Sequence, residues 1–204
     1  MNEKVRARLA LLGTMSDLHC EPVAYDLTRL AAIVAEVAPD LLCAEITRGM
    51  WEGGDLSAAA VEVREALAPV VAASDVVLVP VAPSAARFKD FAPENGWRAE
   101  MVRTFDRLLR WGQRRAGTPE AINGSLFGAF CHTVCHLTEW SWSAAERAAW
   151  NEQNEAIMAN IMQAVGRDPG RRVLVAVQCQ RLHKLEPLLR PYKDEVTLVP
   201  YPSL

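Results

Sequence analysis

Four short apolar runs constrain this 204-residue chain more than any other feature: RLALLG (8–13), LLCAEI (41–46), VVLVPV (76–81) and RVLVAV (172–177). Each is too short for a core helix, rich in leucine or β-branched residues, and separated from the next by stretches of helical periodicity. Strands that are apolar along their whole length are buried on both faces, which is the signature of a parallel sheet sandwiched between helices. A fifth run, EVTLVPY (195–201), reads as an edge strand because it runs into proline. The fold class that follows is α/β, with a mostly parallel sheet of about five strands flanked by helices.

The segment EPVAYDLTRLAAIVAEVAPD joins the first two runs as a helix that starts near Pro22, and LSAAAVEVREALAPVVAAS joins the next two, with Ser57 as its N-cap. Residues 88–166 show no strand pattern and are expected to form a helical insertion or lid between the third and fourth strands, within one α/β domain covering 1–204. Its last helix starts with Ser143 and Glu146 at capping-box spacing and carries Ile157, Met158, Ile161, Met162 and Val165 on one face.

A net charge of −3, without clustered Lys or Arg, gives no footprint for a nucleic-acid or anionic-membrane partner. The apolar run at the N-terminus is far shorter than the roughly 20 residues of a spanning helix, and no small-residue cleavage site follows it. A cytoplasmic protein is expected, with a small-molecule partner; a homodimer is allowed. Five cysteines, an odd number in apolar contexts, read as reduced core thiols.

In open α/β sheets ligands bind beyond the carboxyl ends of the strands, so four polar loops, 14–20, 45–51, 82–87 and 178–183, should converge on one edge. Glu45 stands out because it interrupts an apolar strand, where a carboxylate must be paired, protonated or at the strand's end. Arg48, three residues on, is its expected partner. Asp17 and His19 could form a carboxylate-oriented imidazole for proton transfer, or a helix cap and a solvated ring. Glu62 and Glu65 share a helix face, and at least one should be solvated. Trp51 and the tryptophans of the insertion could line an apolar pocket, although insertion core is the commoner use. In CHTVCH, Cys131 and Cys135 form one i,i+4 pair and His132 and His136 another, but the pairs point about 100° apart, so one helix cannot wrap all four around a single ion.

The order of these pieces resembles the TraB, Tiki, ChaN and erythromycin-esterase-like superfamily. Its members open on a strand followed by G-T-x-H, place an acid at the end of a second strand after a PD dipeptide, and close on a strand bearing G-x-x-H. Here the first element reads GTMS, with Ser16 in the histidine's place; the second reads PDLLCAEITR, keeping Glu45 and Arg48. NEQNEAIMANI is similar to a stretch of the form R-N/D-x-x-M-A-x-N-I, with Asn154 for the arginine, and VLVAVQCQRLHKLEPLL places Gln178 and Arg181 where the last motif has its glycine and histidine.

The resemblance implies hydrolase-like or haem-binding chemistry on an α/β scaffold, but both histidines are replaced, and Ser16 and Arg181 make poor metal ligands. The expectation is therefore a metal-independent enzyme, without cofactor, for a small organic molecule, of hydrolase, lyase or isomerase/cyclase type and suited to specialised metabolism. Glu45, His19, Asp17 and Arg48 would be catalytic; Ser16, Arg181, Gln178, Asn154, Trp51 and Glu62 would bind substrate. The alternative is a ligand-binding or inactive family member, or a haem or divalent-metal carrier using Cys131, His132, Cys135, His136 or His183.

Overall fold

The computed structural model describes residues 6–93 and 95–204. Five strands, β1 (Ala7–Thr14), β2 (Leu41–Ala44), β3 (Val77–Pro80), β4 (Arg172–Gln178) and β5 (Val196–Leu198), form one all-parallel sheet in the order β3-β2-β4-β1-β5. The apolar runs thus became strands, with the last one at the edge beside β1.

Side chains alternate between two helical layers. Leu12, Ala10, Leu42, Ala44, Leu174 and Ala176 pack toward α1 (Leu27–Val37) and toward a π-helical turn, Val63–Leu67, that continues as α3 (Ala68–Ala72). Leu9, Leu41, Cys43, Val173, Val175 and Val177 pack toward α7 (Ala144–Arg167) and α8 (Cys179–Leu189). The stripe Ile157, Met158, Ile161, Met162 and Val165 is buried in this second layer. At about 1.5–3 kcal/mol for each fully buried large apolar side chain, it is a principal anchor of α7. The expected capping box forms, with Ser143 Oγ accepting from the Glu146 amide at 3.2 Å.

Around this sandwich lie α2 (Arg48–Gly53), α4 (Gly96–Ala116), α5 (Pro119–Ile122) and α6 (Ser125–Ser141). Among the described residues no helix is long and apolar enough to cross a membrane.

Two helix starts differ from expectation. The cap of α1 is Asp26, whose Oδ1 accepts from the Arg29 amide at 2.7 Å, so Asp17 caps nothing and the start shifts past Pro22. Ser57 lies in a turn, its amide donating to Asp55, and the helix begins only after Ala60.

The strand order places the site. From β1 the chain crosses by α1 to β2, and from β4 it crosses by α8 to β5, so the two connections leave neighbouring strands toward opposite edges and over opposite faces. The crevice beyond β1 and β4 is the topological switch point, where such sheets open room for a ligand.

Candidate functional site

Gly13 brings the two halves of the crevice together. A Cβ there would come within 2.8 Å of Leu182 Cδ1 and 3.1 Å of Cys179 Cβ, so only glycine lets the start of α8 lie this close to β1. Its amide donates to Asn123 Oδ1 at 2.7 Å and its carbonyl accepts from the Tyr25 hydroxyl at 3.1 Å. The chain then turns through Ser16, whose φ of 52° is, among the described residues, one of two positive values outside glycine. A non-glycine residue in the left-handed region is costly and is retained where surrounding contacts force it.

Glu45 faces α8. Its Oε2 accepts from the Gln178 amide at 2.9 Å and its Oε1 from Arg181 Nε at 2.7 Å. Arg181, 0% exposed, also donates to Asn154 Oδ1, Gln153 Oε1 and the Ala86 carbonyl, and its guanidinium stacks 4.2 Å from the Trp150 ring centre. Asn154 is held in turn by the Trp150 carbonyl, at 2.7 Å. Arg48 is therefore not the partner of Glu45: it is exposed and 3.7 Å from Glu52 one helical turn on, because it already belongs to α2, which turns it away from the sheet edge. Trp51, on the same helix, is half-buried against the core.

His19 is neither solvated nor oriented by Asp17. It is 1% exposed; Nε2 accepts from the Met15 amide at 2.8 Å and Nδ1 faces the Tyr25 carbonyl at 2.7 Å. An amide can only donate and a carbonyl can only accept, so the ring is the neutral Nδ1–H tautomer. Burial pushes its pKa below the ordinary histidine value. With both nitrogens committed to backbone, His19 staples the 14–25 loop and has no free position for carrying protons. Asp17 is exposed, 3.8 Å from Arg110.

Of Glu62 and Glu65, at least one of which was expected in solvent, Glu65 is the exposed one, paired with Arg64, and Glu62, expected to bind substrate, is buried at 3% exposure. Its Oε1 accepts from Thr14 Oγ1 at 2.9 Å; its Oε2 is buried without any hydrogen-bond partner. Burial raises its pKa, the nearby Glu45 carboxylate raises it further, and Thr14 and Arg87 oppose this only in part. The residue stands immediately before the π-helical turn Val63–Leu67, an irregularity frequent at functional sites because it re-aims side chains.

A polar cleft of about 50 Å³ lies at the same strand ends, lined by Ser16, Asp17, Arg87, Lys89, Arg110 and Gln178 among others, with Glu62 and Glu45 behind its wall rather than on it. Gln178 itself is buried and borders both the cleft and Glu45. Among the described residues neither Arg87 nor Lys89 forms an ion pair, whereas Arg110 sits between Asp17 and Asp106. The strand ends thus bring together Ser16, Glu45, Glu62, Gln178, Arg181 and Asn154, and leave out Arg48, Trp51 and the His19–Asp17 pair. Arg87 ends the 82–87 loop expected at this edge but was not singled out, and Lys89, just beyond that loop, was missed; the sequence signal for both is their position after the third strand.

In α6 the two i,i+4 pairs diverge as their spacing requires. Cys131 and Cys135 are buried with sulfurs 3.8 Å apart, while His132 and His136 are exposed, their rings parallel at 6.2 Å. His183 joins the histidines, 5.2 Å from His132, with Nε2 on Glu139. Among the described residues no three His, Cys, Asp or Glu side chains form a group that could hold a metal ion. Where the resembled superfamily implies metal ligands, Ser16 lines the cleft and Arg181 has its donors committed to protein, so these residues do not fit a metal. All five cysteines are free, and Cys20 is exposed, contrary to the reading of all five as core thiols.

Fold and site together define an open-sheet α/β protein with a polar crevice at its switch point. No family model, curated protein or solved structure matches the chain.

Proposed function

We propose that this protein is an enzyme that acts on a small organic molecule by proton transfer in the crevice beyond β1 and β4. The carrying observation is Glu62: a buried carboxyl with one oxygen unpartnered, at the strand ends, beside a second carboxylate. A carboxyl whose pKa is raised by burial is the equipment of a general acid, and after giving up its proton it is a general base. Glu45, locked by Arg181 and the Gln178 amide, supplies a fixed negative charge nearby, while Arg87 and Lys89 supply positive charge for an anionic or carbonyl group. Hydrolysis, elimination, and isomerisation or cyclisation all draw on this equipment, and specialised metabolism is a fitting setting. The resemblance to the TraB, Tiki, ChaN and erythromycin-esterase-like superfamily supports the same place, since Ser16, Glu45 and Arg181 lie just beyond β1, β2 and β4.

The test is a panel of esters, hydroxy acids and unsaturated acids, read by mass spectrometry with wild-type and Glu62→Gln protein. A turnover lost in Glu62→Gln and kept in Arg48→Ala supports the reading; a turnover unchanged in Glu62→Gln overturns it. Infrared difference spectra give an independent check, because the protonated-carboxyl band should be present in wild type and absent from the variant.

A second reading is a ligand-binding protein without turnover. It is favoured by the saturation of Glu45 and Arg181: both carboxylate oxygens, and four guanidinium hydrogen bonds, are spent on protein groups.

A further inference from the structure

Behind Lys89 the polar cleft adjoins a second, larger space. A cavity of about 560 Å³ lies between α4 and the 88–92 segment, and Phe88, Lys89 and Asp106 line both it and the cleft. Its interior is apolar: Phe88, Val102 and Leu109 are buried, and Phe105 and Ala92 half-buried, around it. Its rim is charged, but Glu100 is already held by Arg103 and Asp106 by Arg110. Arg107 on the rim and Lys89 at the junction are left without an ion pair among the described residues, and Arg87 stands beside Lys89 in the cleft, likewise without one.

A volume in this range suits a drug-sized body, and sites for such molecules pair mostly apolar walls with a few placed polar groups. The cleft alone has room for little more than water. A molecule using both spaces must therefore be apolar along most of its length and polar at one end. The end that complements Lys89 and Arg87, where the two spaces meet, is an anion.

We propose that the ligand of this site is an amphipathic organic acid. Its alkyl or aryl body lies against Phe88, Val102, Phe105 and Leu109, and its carboxylate turns over the Lys89 edge toward Arg87 and Gln178 in the cleft. This rests on the crevice being the functional site, and adds the class of molecule it takes.

The experiment uses the full chain and the fluorescent probe anilinonaphthalene sulfonate, displaced by decanoate or by decanol, with succinate as an acid lacking an apolar body. Decanoate should displace the probe at about tenfold lower concentration than decanol. Lys89→Gln combined with Arg87→Gln should erase that difference while leaving decanol unchanged, and Phe105→Trp, which fills the cavity from a half-buried position, should weaken both. Equal displacement by decanoate and decanol, or indifference to Phe105→Trp, overturns the proposal.

Succinate separates the two levels of failure through the amide signals of Gln178 and Gln180. If it shifts them while decanoate binds no more tightly than succinate, the amphipathic class falls and the crevice stands as the site. If neither acid shifts them, both fall.

Discussion

Two largely enclosed carboxyl groups sit at the same edge of one sheet, and the protein treats them in opposite ways. At the end of β2, Glu45 has a partner for each oxygen and a guanidinium that is itself fully enclosed. Across β4, beside the end of β1, Glu62 has one hydroxyl partner and a bare oxygen. The first arrangement has been satisfied with protein groups and can do little except hold β2, α7 and α8 together. The second keeps one buried oxygen without a partner among the described residues. Burial alone therefore does not distinguish the two carboxyl groups; the unmatched atom does, and it is what singles out Glu62 for the proposed role.

That contrast can be broken at its stronger side first. Arg181→Met leaves Glu45 charged and enclosed, and should cost about 3–5 kcal/mol in urea unfolding followed by circular dichroism. Glu45→Gln with Arg181→Met should recover part of the loss; if the double variant is as unstable as the single one, the pair is not the unit described. Next comes the loop that carries Ser16. His19→Ala strands the Met15 amide and Tyr25 carbonyl, at about 2–4 kcal/mol for two buried groups.

The two titrations then run in opposite directions. Because burial lowers the pKa of His19, the unfolded chain takes up that proton first, and stability falls as pH drops below about 6.5 toward the folded-state value. A His19→Gln variant flattens this limb. Because the pKa of Glu62 is raised, the unfolded chain releases that proton first, and stability falls as pH rises from about 4.5 through the folded-state value. Glu62→Gln should stay close to wild type in acid and gain on it toward neutrality; a variant that loses stability with rising pH as steeply as wild type would show Glu62 to be ordinary. The smallest effect is expected at Arg48→Ala, within about 0.5 kcal/mol, since its ion pair with Glu52 lies in solvent.

The sheet was readable because a strand buried on both faces must be apolar throughout, and four of the five runs show it. Glu45 was readable for the same reason: it breaks such a run. Its partner was not. Arg48 is three residues away and Arg181 is 136, and only the placement of β4 beside β2 brings the distant arginine close. Nothing local encodes that order. The burial of His19, and which of Glu62 and Glu65 is enclosed, escaped the sequence for a related reason, since whether a polar residue next to an apolar run is buried depends on what covers it. The covers are residues such as Tyr25 and Thr14, supplied by loops and strand ends. The diverging pairs of α6 followed from helix geometry alone, because their relation is internal to one element.

The position of β4 also sets an order of events. The strand at the centre of the sheet, between β1 and β2, is the fourth of five to be synthesised, and it pairs with β1 along seven residues from Arg8↔Arg172 to Thr14↔Gln178. Until residue 178 has left the ribosome, β1 and β2 have no shared neighbour, and each offers an open backbone edge of the kind that recruits other chains. Vectorial synthesis therefore cannot complete this domain piecemeal, and a chain halted before β4 should be an aggregation-prone product rather than a smaller folded one.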